Sequence, residues 1–314
     1  MLALVDLGGT QIRVAISDTL GHFATRISRP TPAEGGEATL EALKDAIAAA
    51  IGESGGPVSA ISVVAPGPLD PRRGVVVNAP NIAGWKNVPL TAILSETFSV
   101  PVLLGNDANL AALAEQRFGA ARGHSDVVYL TISTGIGGGA ICDGRLLIGS
   151  HGYAAELGHN SVWADGPRCN CGNHGCVETL ASGPAIARQA REAIEAGGRS
   201  LLTEMCEGDL RRLTPKMVAD AARLGDALAR TTFERAGYFL GVAIGNFLYT
   251  FDPTIVVLGG GVTKAGALLF DPVVATVRAR VPQAYWEHCQ IVEAALGEDV
   301  GLVGALALYL SEGA

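Results

Sequence analysis

The sequence predicts a layered α/β protein with two related lobes, and three observations support this fold class. Apolar strand-like runs such as LALVDL, AISVVA and TIVVLG alternate with segments of helical periodicity, which is typical of layered α/β architecture. Two segments, LVDLGGTQIRVAISD and LTISTGIGGGAICDG, repeat one pattern of strand, glycine-rich turn, strand and polar turn. The chain has 314 residues, which is enough for two domains.

The remaining elements follow the same alternation. Further strand-like runs are VAIS, VVVN, PVLLGN, DVVYLTIS, GAIC and CQIVEA. Helical periodicity is clearest at residues 40–51, 110–118, 185–196, 215–224 and 226–249. We therefore expect a small α/β lobe at residues 1–118 plus 302–314, where the last helix returns to the first lobe. Residues 119–301 would form a large α/β lobe, with a cleft between the two.

Composition and charge narrow the function classes. The chain is 48% hydrophobic and 17% charged, which is typical of a soluble α/β enzyme and not of a disordered or fibrous chain. A net charge of -8 argues against nucleic acid as a partner. No apolar run reaches the length of a membrane span, and the N-terminus begins directly with a strand-like segment. We therefore expect no membrane partner and a cytoplasmic location, where clustered cysteines more often bind metal or do redox work than form structural disulfides.

Three glycine-rich turns, DLGGT, STGIGGG and LGGGV, each follow an apolar strand directly. Because glycine has no Cβ atom, phosphate oxygens can approach its backbone N–H groups closely. One such loop is explained equally well as a hairpin turn, but three after buried strands favour phosphate binding. A carboxylate at the end of the first strand, Asp6, could hold Mg²⁺ through water. The candidate nucleotide-binding residues are Asp6, Gly8, Gly9, Thr10, Thr134, Gly135, Gly137, Gly259, Gly260 and Gly261.

Two familiar nucleotide motifs are excluded. The sequence contains no G-x-x-x-x-G-K-[ST], so it is not a P-loop protein. The run GIGGGA does satisfy G-x-G-x-x-[GA] after a strand, but it leads into a hairpin at Asp143-Gly144 and not into a helix. A dinucleotide site needs that helix N-terminus for the pyrophosphate, so we reject it.

Asn106 and Asp107 stand between a buried strand and a helix, in VLLGNDANLAALAEQRF. Asp is a favoured helix N-cap, and capping alone would explain Asp107. The functional alternative is that Asp107 accepts a proton from a substrate hydroxyl, because an alcohol attacks phosphorus poorly unless a base receives its proton. Asn106 would then hydrogen-bond neighbouring hydroxyls. Two further carboxylates, Glu156 and Glu178, flank a cysteine-rich segment and could accept hydrogen bonds from a polyol.

That segment, CNCGNHGCVE, holds three cysteines, and a histidine lies ten residues before the first of them. Thiolate and imidazole are the ligands that Zn²⁺ prefers in a closed tetrahedral site. The four candidate ligands are His159, Cys169, Cys171 and Cys176. A C-x-x-C redox pair is absent, and His174 is a rival imidazole inside the tight turn. Four protein ligands leave no open position, so the zinc would be structural and would hold the neighbouring loop in place.

Taken together, the motifs DLGGT, APGPLD, APNIAGW, NDAN, STGIGGG, ELGH, CNCGNHGCVE and FDPTIVVLGGGV resemble those of the ROK family of sugar kinases and repressors. The likeness runs from the first strand to near the end of the chain and is strongest to the bacterial glucokinase branch. The resemblance implies a two-lobed actin-like ATPase fold with ATP bound in the cleft. It implies ATP-dependent phosphorylation of glucose at its 6-hydroxyl, with Mg²⁺ and a structural Zn²⁺, in a homodimer or homotetramer.

The resemblance also implies roles for single residues. Asp107 would be the catalytic base, and His159, Cys169, Cys171 and Cys176 match the family's zinc ligands. The implied sugar contacts are Gly67, Asn81, Asn106, Asp107, Glu156, His159 and Glu178. The histidine would serve twice, with one ring nitrogen on zinc and the other toward the sugar. Two positions depart from the family pattern: Gln11 follows DLGGT where lysine or a small polar residue is common, and Ala155 stands where glycine is usual.

Two alternatives stay open at this point. The sugar could be mannose, fructose, N-acetylmannosamine or N-acetylglucosamine, because the sequence does not fix the volume of the pocket. A sugar-responsive repressor is the alternative from another class. Repressors of the family carry a helix-turn-helix domain ahead of the first phosphate loop, which begins here at Asp6. The presence of NDAN also favours an enzyme.

Overall fold

The computed structural model describes residues 1–312, and its contacts divide the chain into two compact units. The first unit comprises Met1–Gly123, Arg145–Ala155 and the chain from Ala295 onward, and the second comprises His124–Gly144 and Glu156–Ala294. The sequence placed the boundaries at 118/119 and 301/302. In the structure the first unit extends to Gly123 because the turn after the preceding helix still bonds to it: the N–H groups of Gly119 and Ala121 donate to the Glu115 carbonyl.

The strands and helices are these. The strands are β1 Leu2–Leu7, β2 Gln11–Ser17, β3 Phe23–Pro30, β4 Ala60–Ala65, β5 Leu69–Asp70, β6 Val75–Asn78, β7 Lys86–Val88, β8 Val102–Asn106, β9 Val127–Ile132, β10 Ile136–Cys142, β11 Arg145–Leu146, β12 Ile255–Gly259 and β13 Gln290–Glu293. The α-helices are α1 Gly36–Ser54, α2 Leu90–Phe98, α3 Asp107–Phe118, α4 Glu178–Ala181, α5 Gly183–Glu195, α6 Leu202–Met205, α7 Pro215–Arg223, α8 Ala227–Phe251, α9 Ala267–Arg280, α10 Gln283–Trp286 and α11 Val300–Glu312. Short 3₁₀ turns occur at Leu157–His159, Leu210–Arg212, Gly261–Ala265 and Gly297–Asp299.

The first unit is built on a five-stranded sheet in the order β3-β2-β1-β4-β8. Strand β1 runs antiparallel to β2 and parallel to β4, and β4 runs parallel to β8. Strands β1 and β4 are buried along their whole length. Continuous apolar runs of this kind are expected when helices cover both faces of a parallel sheet. Helix α1 packs on β2 and β3, and α11 packs on α3, β1 and β4. A small antiparallel sheet, β5-β6-β7, adds to the same unit.

The second unit repeats this arrangement. Its strands lie in the order β10-β9-β12-β13, with β9 antiparallel to β10, β12 parallel to β9, and β13 parallel to β12. This is the order and direction of β2-β1-β4-β8, so the internal repeat that the sequence predicts is confirmed. Helix α8, with 25 residues, packs against α4, α5, α7 and α9. None of the helices in residues 1–312 combines the length and apolar character that a bilayer span needs.

Candidate functional site

The first glycine loop joins β1 to β2 in the first unit. Its three candidate residues differ in whether the backbone N–H group already has a partner. The N–H of Gly8 donates to the Gln11 carbonyl at 2.9 Å and closes the hairpin. Gly9 and Thr10 are exposed. Their amides have no backbone partner in the described residues, and the phosphate-binding roles of all three residues stay predictions.

Asp6 stands at the end of β1, as predicted, but its surroundings were not foreseen. Its carboxylate accepts a hydrogen bond from the Arg13 guanidinium on β2 and lies against Gly301, where a Cβ atom would come within 2.2 Å of Asp6 Oδ2. Burial raises the pKa of Asp6, and Arg13 opposes that effect. A magnesium-bound water would have to share this carboxylate with Arg13, so the magnesium role stays a prediction.

Two pairs of predicted site residues meet in the first unit: a nucleotide-binding candidate with a sugar contact, and two sugar contacts with each other. Gly9 packs on Asn81, since a Cβ atom on Gly9 would lie 2.7 Å from Asn81 Cβ. Gly67 packs on Asn106, since a Cβ atom there would lie 2.8 Å from Asn106 Nδ2. Both glycines are needed for these close approaches, because any side chain would displace the asparagine. The APGP and NDAN motifs are thus in direct contact.

Asn106, and not Asp107, caps helix α3. Asn106 Oδ1 accepts hydrogen bonds from the N–H groups of Ala108 and Asn109, at 3.0 and 3.2 Å. Asp107 is the first helical residue, is exposed, and its Oδ1 lies 2.8 Å from the Ala108 N–H. Capping therefore does not explain Asp107, because Asn106 already caps the helix.

The second glycine loop, in the second unit, is shorter than the sequence suggests. Thr134 lies in an exposed turn between β9 and β10, beside the half-buried Gly135. Gly137 instead belongs to β10, where it is paired with Thr131. The strand begins earlier because consecutive glycines without side chains can still enter a ladder. Thr134 and Gly135 lie in the turn itself, and the phosphate-binding roles of Thr134, Gly135 and Gly137 stay predictions.

The third glycine loop follows β12. Gly259 is buried in the strand, where a Cβ atom would lie 2.5 Å from the Tyr129 hydroxyl, so this glycine serves packing. Gly260 has φ 92° and lies against the backbone of Ile132, a conformation and a space that only glycine fits. Gly261 is exposed and begins a 3₁₀ turn. Gly260 and Gly261 are therefore the loop's exposed glycines.

The second and third loops open into one cavity of about 990 Å³ that lies wholly within the second unit. Its volume is at the upper end of the range for ligand pockets. Ser133, Thr134, Gly261 and Val262 line one side. The start of α5 and the start of α7 line another, and each of these helices has a Ser or Thr N-cap followed by proline at its first or second position.

Sequence reasoning did not include Ser182, Thr214 and the basic residues of α5 and α7 in the site. The signal that could have found the two helix starts is the pairing of a Ser or Thr cap with proline, in SGPA and LTPK. Helix N-termini are favourable for anions, so these two starts suit a phosphorylated ligand.

The four predicted zinc ligands converge in the second unit. The ligand atoms of His159, Cys169, Cys171 and Cys176 all lie within 4.8 Å of one another. Gly172 and Gly175 have φ 96° and 63°, so both adopt the left-handed conformation that turns the chain around the cluster. His174 stays outside it, and its Nδ1 lies 3.1 Å from the Gly166 carbonyl.

The distances suit tetrahedral zinc. Cys171 Sγ and Cys176 Sγ are 3.7 Å apart, and Cys169 Sγ is 3.6 Å from His159 Nδ1. Bond lengths to zinc in a tetrahedral site give about 3.8 Å between two sulfurs and about 3.6 Å between sulfur and nitrogen. Burial raises the pKa of Cys176 to about 12, so this group is a thiol without a cation and would lose its proton when a metal binds. The residues therefore fit Zn²⁺.

Glu178 connects this cluster to the second glycine loop. Its Oε2 accepts a hydrogen bond from the Ile136 N–H at 2.9 Å, and a Cβ atom on Gly135 would lie 2.5 Å from the same oxygen. Its Oε1 lies 3.9 Å from Cys169 Sγ. Glu178 also lines the cavity. The carboxylate therefore fixes the loop on one side and contacts a cluster ligand on the other.

Glu156 and His159 border the same region. Glu156 immediately precedes the 3₁₀ turn that ends at His159, whose N–H donates to the Glu156 carbonyl at 3.1 Å. Desolvation raises the pKa of Glu156, with His159 lowering it and Glu178 raising it further. Ala155 has φ 65°, which is costly for a residue with a Cβ atom and explains why glycine suits this position.

The comparisons with known proteins agree along the whole chain. The sequence pattern that describes the ROK family matches residues 2–312. The chain is 38% identical to a glucokinase from Thermotoga maritima, over 97% of this chain and 95% of that protein. It is 32% identical to an N-acetylmannosamine kinase from Escherichia coli O157:H7, over 98% of each.

A solved structure agrees with these sequence similarities. The chain matches a ROK family glucokinase from Streptomyces griseus in complex with glucose and AMPPNP, with a TM-score of 0.83, 35% identity, and coverage of 100% of this chain and 99% of that one. The predicted fold class, the two-lobed actin-like ATPase fold of these sugar kinases, is confirmed. Because both the family pattern and the full-length relatives match, the chain belongs to the ROK family.

Proposed function

We propose that this protein is a glucokinase that transfers a phosphoryl group from ATP to the 6-hydroxyl of glucose. The observation that carries the proposal is the position of Glu178. One carboxylate contacts both the second glycine loop, which is the proposed phosphate-binding element, and the cysteine cluster, which lies beside the proposed sugar contacts. The similarity to glucokinases over the whole chain supports the same reaction.

In this proposal Asp107 is the general base. Its carboxylate is exposed at the start of α3, and Asn106 holds that helix start by capping it. Asp107 would orient the attacking hydroxyl and receive its proton as the bond to phosphorus forms. Asn106 keeps its Nδ2 group, which lies against Gly67, as a donor for a sugar oxygen. Asn81 would contribute beside Gly9.

In the second unit, Glu156 and Glu178 would accept hydrogen bonds from sugar hydroxyls. His159 faces Cys169 with Nδ1 and so keeps Nε2 for the sugar. We propose that His159, Cys169, Cys171 and Cys176 hold a structural Zn²⁺, which would fix the loop that carries these groups. The stiffness of that loop would keep Glu178 on the Ile136 N–H.

The donor is proposed to be ATP with Mg²⁺. The cavity of about 990 Å³ is large enough for a nucleoside, and Thr134 and Gly261 at its edge offer backbone N–H groups to phosphate oxygens. In the first unit, Gly9 and Thr10 are the proposed phosphate-binding residues. Mg²⁺ would neutralise charge on the transferred phosphate, with Asp6 as its candidate water-mediated partner.

N-acetylmannosamine is the second candidate substrate, because a kinase for that sugar is 32% identical over 98% of each chain. A coupled assay of the purified protein with glucose, mannose, fructose, N-acetylmannosamine and N-acetylglucosamine separates the two. We expect the highest kcat/KM for glucose. A higher kcat/KM for an N-acetylhexosamine would contradict the glucose proposal. ADP and polyphosphate in place of ATP test the donor in the same assay.

We also propose that the protein is cytoplasmic, since the reaction needs ATP. We further propose that it forms a homodimer or homotetramer. Exposed aromatic side chains in the second unit support self-association: Trp163 stacks on Phe239 at 5.9 Å between ring centroids, beside the exposed Tyr238. Exposed aromatic groups of this kind are enriched at protein interfaces. Light scattering of the purified protein gives the mass, and a monomer at all concentrations would contradict the proposal.

A further inference from the structure

Glu115 is a buried glutamate near the end of α3 that the proposed reaction does not use. Its side chain is 0% exposed. Oε2 accepts hydrogen bonds from the N–H groups of Ala120 and Ala295, at 2.7 and 3.1 Å, and Oε1 accepts one from Leu296 at 3.0 Å. All three partners are backbone N–H donors, so both carboxyl oxygens act as acceptors.

The three amides belong to two separate segments of the first unit. Ala120 lies in the turn that follows α3, and the segment that starts at Ala295 is where the chain re-enters this unit before α11. Gly119 provides the space, because a Cβ atom there would lie 2.0 Å from Glu115 Oε2. Its φ of -113° needs no glycine, so the space is the reason for this residue. Glu115 thus fastens the end of α3 to both segments.

The contacts of Glu115 add to the packing that sets the position of α3. The helix is rich in buried alanines, and α11 approaches it at Gly304, where a Cβ atom would lie 2.9 Å from the Leu110 carbonyl. These contacts are close-packed, and polar contacts at the two ends of the helix add to them in holding its position. Asn106 holds the start, and Glu115 holds the end.

We propose that Glu115 is a positioning residue for phosphoryl transfer, which acts by fixing α3 and therefore the place of Asp107 at its first turn. Eight residues separate the two side chains, or about 12 Å along a helix. A displacement of the base by a fraction of this length is enough to slow transfer strongly. The inference rests on the proposed role of Asp107, but the contacts of Glu115 can be tested without it.

The test compares Glu115→Gln with Glu96→Gln, an exposed glutamate of α2 in the same unit. An amide keeps the shape of the side chain but places an NH₂ group against at least one backbone donor. We expect faster hydrogen exchange at Ala120, Ala295 and Leu296, and a fall in kcat of about tenfold or more with the KM for glucose within about threefold. Glu96→Gln should match the wild type in both measurements.

Two outcomes would overturn the inference. Faster exchange at the three amides with unchanged kcat would make Glu115 a stability residue only. Hydrogen exchange that rises evenly over the whole first unit, together with changed KM values for glucose and ATP, would mean that the substitution loosens the unit as a whole. If Glu115→Gln does not fold, Gly119→Ala displaces the same carboxylate without removing it, and Glu115→Asp should recover part of kcat. If the wild type phosphorylates none of the hexoses, the proposed function fails, while the exchange data still report on the anchor.

Discussion

The two units share one strand order, yet different contacts hold the first glycine loop, between β1 and β2, and the second glycine loop, between β9 and β10. In the first unit, one backbone hydrogen bond closes the loop, and Thr31, which follows β3, donates to the Gly8 and Thr10 carbonyls. The carboxylate at the base of this loop, Asp6, is paired with Arg13 on the next strand. In the second unit, Glu178 reaches the loop from a distant segment and binds the Ile136 N–H. Each turn has a backbone hydrogen bond of its own, from the Gly8 N–H to the Gln11 carbonyl and from the Ser133 N–H to the Gly135 carbonyl. The difference is that Thr31 holds the first loop from outside, whereas Glu178, next to the cysteine cluster, holds the second.

This difference shows what repeated topology determines and what it leaves open. The shared order places each glycine turn beside the end of a buried strand, which is where a phosphate can reach backbone amides. The side chains that stiffen each turn come from elsewhere and differ. We therefore expect the second loop to depend on the metal ligands and the first loop to be independent of them.

The largest effect expected in either unit is that of Asp107→Asn. The amide keeps the size of the side chain but cannot receive a proton, so we expect kcat to fall by about 10²- to 10⁴-fold. Glucose affinity, measured by calorimetry, should change little. Asp45→Asn, an exposed position on α1, is the matched control and should be fully active. Turnover near the wild-type level in Asp107→Asn would exclude this residue as the base.

Loss of the proposed zinc should give the next largest effect, and this effect should be confined to the second unit. Cys171 is exposed, so Cys171→Ser removes a ligand without opening a cavity in the core. We expect zinc content to fall from one per chain and glucose affinity to fall by about tenfold or more. Hydrogen exchange should rise at Ile136 but not at Gly8. Cys289→Ser, away from the cluster, is the control. Full glucose affinity in metal-free protein would contradict the zinc role.

The smallest effect expected is the pH dependence of Glu156, whose pKa is raised above its ordinary 4.5 mainly by desolvation. As pH falls through that raised pKa, the carboxylate gains a proton and glucose affinity should drop a few-fold. The stability contribution has the opposite sign, because a carboxyl whose folded pKa is raised favours folding below this window and loses that contribution as pH rises. Calorimetry and thermal unfolding from neutral pH down to 4.5 check both trends, and Glu156→Gln should remove both.

Much of the fold could be predicted from the sequence because its buried strands are continuous apolar runs. Strand β1, strand β4 and helix α8 have strong, long signals, and the structure confirms them. Strand β3 was not predicted, because as an edge strand it alternates exposed Ala, Arg and Ser with half-buried Phe, Thr and Ile. Helix α9 was missed because Pro272 lies inside it, where proline normally predicts a helix end.

The candidate site was predictable where spacing along the chain sets the geometry. The cysteines at 169, 171 and 176 stand in one tight turn, so their convergence follows from sequence spacing and two glycines. The partners of Asp6 and Glu115 were not predictable, because they depend on contacts between residues far apart in the chain. The sequence did not predict where the second glycine loop ends and β10 begins, because glycine-rich turns and glycine-rich strands have the same composition.

The approach of His159 to the cysteine cluster through Nδ1 has a consequence for recognition. A ring that gives its Nδ1 lone pair to a cation must carry its remaining proton on Nε2, so the tautomer is fixed. The imidazole can then only donate to a sugar, and never accept, as long as the cation is bound. Neighbouring carboxylates only accept when they are ionised. The pocket would therefore present a fixed pattern of donor and acceptor that selects hydroxyl groups by the direction of their hydrogens.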